Sequence, residues 1–179
     1  ESLAAAGLSV DLNAQPAVDW HRAHHLYLML LRSATGARVS DEVFETHRAR
    51  MSRLPESDWS YRAYVVRAVT ISHRDWCNLH TEREGMRLAW EQFFEEYDLL
   101  LCPTAASTAC PHDHEGERAD RTIRINDGRR PTTEQLFWAG VSRLPKLPAT
   151  VAPVGLASNG LPCGLQIVGP YLHDRTCIA

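Results

Sequence analysis

Three short, strongly apolar runs in the second half of the chain limit the folds that it can adopt. They cover residues 98–104, 148–155 and 163–169. Runs of this length without polar alternation are typical of strands that are buried on both faces of a sheet. The last two runs flank an Asn159–Gly160 step, which is a strong signal for a hairpin turn. The sequence therefore predicts an α/β fold in which helices cover both faces of a sheet.

The first half, residues 1–97, is predicted to be mostly helical. Apolar residues at helical spacing indicate three helical regions, at residues 18–32, 40–52 and 58–97. Ser40 is the predicted N-cap of the second region. Ser72 and Asp75 have the spacing of a capping box, which predicts a break in the third region near Ser72. Core packing along that region is predicted for its aromatic residues: Trp76, Trp90, Phe93, Phe94 and Tyr97.

The remaining segments indicate that the chain is a piece of a longer protein. Residues 105–140 are polar and are predicted to form a loop, with a short strand at 122–125. Gly7 is predicted to close a helix that leads into a strand, and Asp174 is predicted to cap a helix at the other end. A natural domain seldom begins and ends inside helices. So few apolar strands would also leave sheet edges open, so we expect further strands from elsewhere.

Composition excludes several classes of function. The formal net charge is −3 and there is no dense basic patch, which argues against a nucleic-acid partner. Five cysteines without a CxxC pair argue against a disulfide framework and predict a reducing, cytoplasmic location. The longest apolar stretch, residues 26–31, is far shorter than the roughly 20 residues that span a bilayer, so no membrane association is expected. The sequence leaves the oligomeric state open.

Two groups of residues have the composition of metal ligands. Residues 110–115 contain Cys110, His112, Asp113, His114 and Glu115, and His21 and His25 are four residues apart on a predicted helix. Zinc sites usually draw their ligands from two separated clusters, and no HExxH motif accompanies the helical pair. We therefore predict a solvated loop, a partly exposed helix face and no metal or cofactor, with a metal hydrolase as an alternative.

Motifs in the second half resemble those of the amidase signature family. They are YDLLLCPT at 97–104, FWAGVSRLPKLPATVAPVG at 137–155 and GLPCGLQIVGP at 160–170, the last being the most specific. The resemblance implies that residues 1–179 are the C-terminal portion of a single amidase domain, an incomplete part of a mixed sheet covered by helices. Within it we expect helices in 1–97, and sheet strands, the loop 105–140 and the hairpin 148–169 in residues 98–179.

The resemblance also implies hydrolysis of an amide to an acid and ammonia or an amine. The family uses a serine nucleophile, a second serine on a cis peptide bond and a lysine base, because a hydroxyl needs a base to become a good nucleophile. Lys146 is the only lysine, it lies between Pro145 and Leu147, and the chain has neither adjacent serines nor a glycine-rich serine loop. The catalytic triad is therefore predicted to lie outside this chain, and this chain alone is predicted to be inactive.

Four residues are predicted to contact the amide substrate, namely Trp138, Arg143, Gln166 and His112. Arg143 and Lys146 stand where many family members have Asn and Gly, which argues against the glutamine-dependent transamidation branch. An alternative from another class is a non-catalytic module, derived from an amidase, that pairs with a partner chain through its open sheet edge.

Overall fold

The computed structural model describes residues 2–178. The helices are α1 (Ser2–Ala5), α2 (Trp20–Gly36), α3 (Asp41–Met51), α4 (Tyr61–Val69), α5 (His73–Phe93) and α6 (Leu136–Arg143). The strands are β1 (Leu100–Pro103), β2 (Thr122–Ile125), β3 (Gly128–Pro131), β4 (Ala149–Leu156) and β5 (Pro162–Val168). Short 3₁₀-helices occupy Arg118–Asp120, Thr132–Gln135 and Asp174–Cys177.

Side-chain caps set the starts of the helices. Ser40 and Ser72 each accept a hydrogen bond from a main-chain N–H in the first turn of the helix that follows, which confirms both predicted starts. The Ser72 hydroxyl also donates to a carboxylate oxygen of Asp75 over 2.6 Å, so the predicted break between α4 and α5 is marked by the Ser72 cap and this side-chain pair. Helix α2 runs four residues past its predicted end. Gly36 is its last residue, and a Cβ there would lie 2.7 Å from Val69 Cγ2, which shows how closely α4 approaches this end of α2.

Strand β5 is the centre of an antiparallel sheet with the order β1-β5-β4. The predicted hairpin between β4 and β5 is confirmed. At its tip Gly160 has a φ of +78°, which glycine adopts without strain, and the Leu161 N–H donates to the Asn159 side chain over 3.2 Å.

Burial in this sheet differs from the prediction. The central strand is well covered, and Gln166 and Val168 are 8% and 0% exposed. On the outer strand β4, Val151, Val154 and Leu156 are 60%, 59% and 73% exposed. The prediction of burial on both faces is therefore wrong for β4, because the helices pack against the central strand and leave β4 uncovered.

Residues 105–140 contain more regular structure than predicted. The expected strand at Thr122–Ile125 is present, but it pairs with β3 in a separate hairpin. The two turn residues are Asn126 and Asp127, and Asn126 has a φ of +52°, a conformation that asparagine tolerates. Helix α6 then begins at Leu136. Eight residues are too few for a clear helical period, so its tertiary packing decides its structure. A Cβ at Gly140 would lie 2.9 Å from Tyr27 Cδ1, which shows how closely α6 approaches α2.

The two ends of the described chain agree only in part with expectation. Gly7 has a φ of +87° and closes α1, as predicted, with the Leu8 N–H donating to the Leu3 carbonyl. The strand predicted to follow Gly7 is absent, since residues 8–10 have no regular structure. Asp174 does not cap a helix but lies inside the terminal 3₁₀-helix.

Two apolar clusters hold the layers together. One joins α2 to α6 through Leu26, Tyr27 and Leu144. The other brings Trp90 and Phe93 of α5 against Val168 of β5. The space between α2, α4 and α6 is left open, and it forms a cavity.

Candidate functional site

A cavity of about 970 Å³ lies between α2, α4, α6 and the first strand of the sheet. Volumes of this order hold small organic molecules, and such pockets are commonly apolar with a few polar groups. Six aromatic side chains line it: Trp20, Trp59, Tyr61, Tyr64, Phe137 and Trp138. The cavity is therefore a candidate site for a flat, apolar ligand.

One aromatic wall is formed where α2 and α6 meet. Trp20 follows the N-cap Asp19, and its ring lies 6.1 Å from that of Phe137 in an edge-to-face arrangement. Phe137 in turn lies 5.2 Å from Trp138, with the two rings at 87°. Trp20 also contacts the buried Trp90 at 6.0 Å, so this wall is anchored to the core.

The ionisable groups that line the cavity include His24, Glu134 and Cys102. Burial lowers the pKa of His24, although the nearby carboxylate of Glu134 opposes part of that shift, so the imidazole is neutral at pH 7. Glu134 is paired with Arg130 at 2.8 Å. Burial raises the pKa of the Cys102 thiol, which therefore stays protonated. We find no activated nucleophile among these groups.

The four residues predicted to contact substrate are not all brought together. Trp138 lines the cavity. Gln166 lies behind that wall, where its amide nitrogen is 3.4 Å from the Trp138 carbonyl oxygen. Arg143 and His112 are exposed and lie outside the residues that line the cavity. Contact between these four residues and a substrate stays a prediction.

Gln166 links three elements of the fold. Its amide oxygen accepts from the Ser142 hydroxyl of α6 over 3.2 Å, and its amide nitrogen also lies 3.2 Å from the Cys102 sulfur of β1. With the Trp138 contact, both ends of the amide are used inside the protein. Gln166 therefore supports the cavity wall from behind.

Sequence reasoning missed most of the cavity lining. Trp20, His24 and Leu28 recur every four residues and line the cavity from α2, a spacing that could have indicated one helix face. The aromatic residues around the start of α4, in the segment WSYRAY at 59–64, were a second signal. Aromatic residues are equally frequent in cores, so the pattern alone could not distinguish a cavity from packing.

The metal-ligand candidates do not assemble. The His112 and His114 rings lie 5.6 Å apart and are nearly perpendicular, and the His25 ring nitrogen lies 3.1 Å from the Tyr64 hydroxyl. Among residues 2–178, no group of three or more His, Cys, Asp or Glu side chains is close enough to hold a metal ion. In the same range, no helix is both long and apolar enough to cross a membrane.

The single lysine is part of a surface ion pair. Lys146 Nζ lies 2.7 Å from Glu84 Oε1, and both side chains are 44% exposed. The hydrogen bond from Lys146, followed by one from Arg87, lowers the pKa of Glu84 to about 2. A lysine that serves as a general base must have an amine that is free to accept a proton, whereas the Lys146 amine donates to Glu84.

Replacing Glu84 with glutamine is expected to lower the free energy of unfolding at pH 7 by at most about 1 kcal/mol, because the pair is exposed. The folded-state pKa lies below the unfolded value, so this stabilisation is present above about pH 4.3 and is lost as the pH falls toward 2. Urea unfolding of both proteins at pH 7, 5 and 3 measures the difference. The exposed pair of Glu45 and Arg48 supplies a control, Glu45→Gln, and an unchanged Glu84 effect at pH 3 would contradict the assignment.

Comparison with known proteins identifies the family. The model of the family described as Amidase matches residues 9–178. The chain is similar to an indoleacetamide hydrolase of Bradyrhizobium diazoefficiens, at 27% identity over 144 residues, covering 76% of this chain and 25% of that protein. A second indoleacetamide hydrolase, from Bradyrhizobium japonicum, is 30% identical over 140 residues, covering 76% of this chain and 28% of that protein.

A solved structure described as an amidase shares the fold. It superimposes with a TM-score of 0.68 at 22% sequence identity, covering 99% of this chain and 37% of the other. The chain thus spans about a quarter of the length of the indoleacetamide hydrolases and about a third of that structure. Because the family model covers almost all of it, this chain belongs to the amidase signature family.

Proposed function

We propose that this chain forms the C-terminal, substrate-binding part of an amidase that hydrolyses a carboxylic amide to an acid and ammonia or an amine. The observation that carries the proposal is the cavity of about 970 Å³ with its six aromatic side chains, in a chain of this family. An apolar cavity of this shape favours amides with an aromatic group. The name of the similar Bradyrhizobium proteins, indoleacetamide hydrolase, supports an arylacetamide as substrate.

In this proposal the chemistry is performed by a segment outside this chain. A serine hydroxyl attacks the amide carbonyl while its proton passes through a second serine to a neutral lysine, and this proton is then given to the amine, which leaves. Water then hydrolyses the acyl-enzyme ester, which releases the acid and restores the serine. Two facts support the location of the catalytic residues outside this chain. The sequence has no adjacent serines, and its one lysine is paired with Glu84.

The cell compartment is part of the same proposal. All five cysteines are free, which suits a reducing cytoplasm. We further propose that no cofactor or metal is required, since the serine mechanism supplies both the nucleophile and the base from side chains.

The test is amide hydrolysis by the full-length protein that contains this chain. We expect it to release ammonia from phenylacetamide and indoleacetamide, and to be inactivated by a sulfonyl fluoride, which modifies activated serines. This chain alone is expected to show no hydrolysis above buffer. Robust hydrolysis of a chromogenic anilide by this chain alone would contradict the location of the triad, and a full-length protein inactive on every amide would contradict the proposed activity.

The exposed outer strand favours a second candidate function. Val151 and Val154 of β4 are uncovered, and β4 has no further strand beside it within residues 2–178. A non-catalytic module could use this edge to pair with a partner chain. The length of the parent reading frame and the intact mass of the natural protein separate the two candidates. If the natural gene encodes a protein with the same ends as this chain, the non-catalytic module is favoured.

A further inference from the structure

Trp59, in the segment just before α4, lies at the cavity and is partly exposed to solvent. Trp59 lines the cavity and is 48% exposed. A tryptophan ring buries a large apolar area when it is packed, so an indole left half in water contributes little to the core. Part of the indole is therefore available for contact with a molecule in the cavity.

The ring is nevertheless held firmly by its neighbours. Arg67 of α4 reaches back over the segment, and its guanidinium lies 4.6 Å from the centre of the Trp59 ring. One terminal nitrogen of Arg67 donates to three main-chain carbonyls on either side of the turn, at 2.7 Å from Pro55, 3.3 Å from Glu56 and 3.3 Å from Asp58. The backbone that carries the indole is therefore fixed before any ligand arrives.

Two further side chains, one from α2 and one from α4, pack their rings against the indole. His25 and Tyr64 lie 4.8 Å and 5.6 Å from the Trp59 ring. They are joined to each other by a hydrogen bond of 3.1 Å between the imidazole and the phenol. Burial, aided by nearby Arg22, lowers the pKa of His25, so this support is uncharged at pH 7. The three rings form one neutral aromatic cluster beside the cavity.

We propose that Trp59 is a specificity-determining residue that binds a neutral, planar aromatic group of the amide substrate. The inference rests on the proposed function, because it requires the cavity to bind an amide. Arg67 already makes the cation–π contact with this ring, so a cationic group gains less there than a neutral aromatic group. Because the indole is held in place beforehand, binding loses little conformational entropy.

Kinetics of the full-length protein with Trp59→Ala test the inference. We expect the KM for phenylacetamide to rise about tenfold, which corresponds to about 1.4 kcal/mol of lost binding, while kcat changes less than about twofold. The KM for propionamide, which has no ring, is expected to stay the same. Trp59→Phe keeps an aromatic face and is expected to recover most of the loss.

Trp76→Ala is the matched control, because Trp76 is 36% exposed and lies on α5 outside the cavity lining. An unchanged KM for phenylacetamide in Trp59→Ala, or an equal rise for both amides, would overturn the inference while leaving the amidase proposal intact. If the full-length protein hydrolyses no amide, the proposed function fails first. Calorimetric binding of phenylacetamide then decides the role of Trp59, since equal affinity of the wild type and Trp59→Ala overturns it and about tenfold weaker binding supports it.

Discussion

Replacing Trp90 with alanine is expected to lower the free energy of unfolding by about 3–5 kcal/mol, the largest effect of any single truncation in the core. Trp90 is 2% exposed, and it packs with Val141 of α6 and Val168 of β5. Its ring also contacts Trp20 at 6.0 Å and Phe94 at 5.9 Å. The change would remove contacts with two helices and the sheet at once, and the surrounding side chains could close the resulting space only in part.

Urea unfolding of this chain, followed by far-ultraviolet circular dichroism, measures the loss. Trp76→Ala is again the control, and we expect it to cost at most about 1 kcal/mol because Trp76 lies at the surface. A loss below about 1.5 kcal/mol for Trp90→Ala would contradict the view that Trp90 joins the helical layer to the sheet.

Introducing a charge at Gln166 is expected to have the second-largest effect. Gln166→Glu keeps the size of the side chain, but a carboxylate cannot donate to the Trp138 carbonyl or to Cys102. The introduced negative charge would be buried without a cationic partner, so we expect a loss of about 3 kcal/mol or more at pH 7. The wall of the cavity is expected to loosen with it, since Trp138 loses a support.

The pH dependence separates the charge from the loss of hydrogen bonds. Burial would raise the folded-state pKa of the introduced carboxyl above its unfolded value, so the penalty is present at neutral pH and shrinks as the pH falls toward about 4.3. Gln166→Leu removes the same hydrogen bonds without adding a charge, and its loss of about 1–3 kcal/mol is expected to be independent of pH. Identical pH profiles for the two variants in urea unfolding would show that Gln166 is accessible to water.

Short local motifs in the sequence correctly predicted a helix start and a hairpin turn. Ser72 with Asp75 predicted the break between α4 and α5, and the Asn159–Gly160 step predicted the hairpin of β4 and β5. The helix break and the hairpin turn each depend on a few consecutive residues, so both can be predicted from the sequence. The same logic failed at α6, because eight residues carry too little periodicity to outweigh the polar composition around them.

Much less of the candidate site could be predicted from local motifs. Trp138 was expected near the site and lines the cavity, whereas Gln166 lies behind it and His112 and Arg143 lie elsewhere on the surface. Motif resemblance marks residues that a family uses, but it does not distinguish a side chain that lines a cavity from one that supports its wall.

The sequence by itself determined the family, the caps at Ser40 and Ser72 and the main hairpin, because each depends on a few neighbouring residues or on a continuous motif such as residues 160–170. Only the tertiary structure decided where the cavity lies and what lines it. Trp20, Trp59 and Trp138 are far apart in the chain and converge because α2, α4 and α6 pack around one space. The tertiary structure also showed the role of the single lysine, which forms an ion pair with Glu84 of α5, 62 residues before it in the chain. Such contacts depend on the packing of whole elements, and no local pattern encodes them.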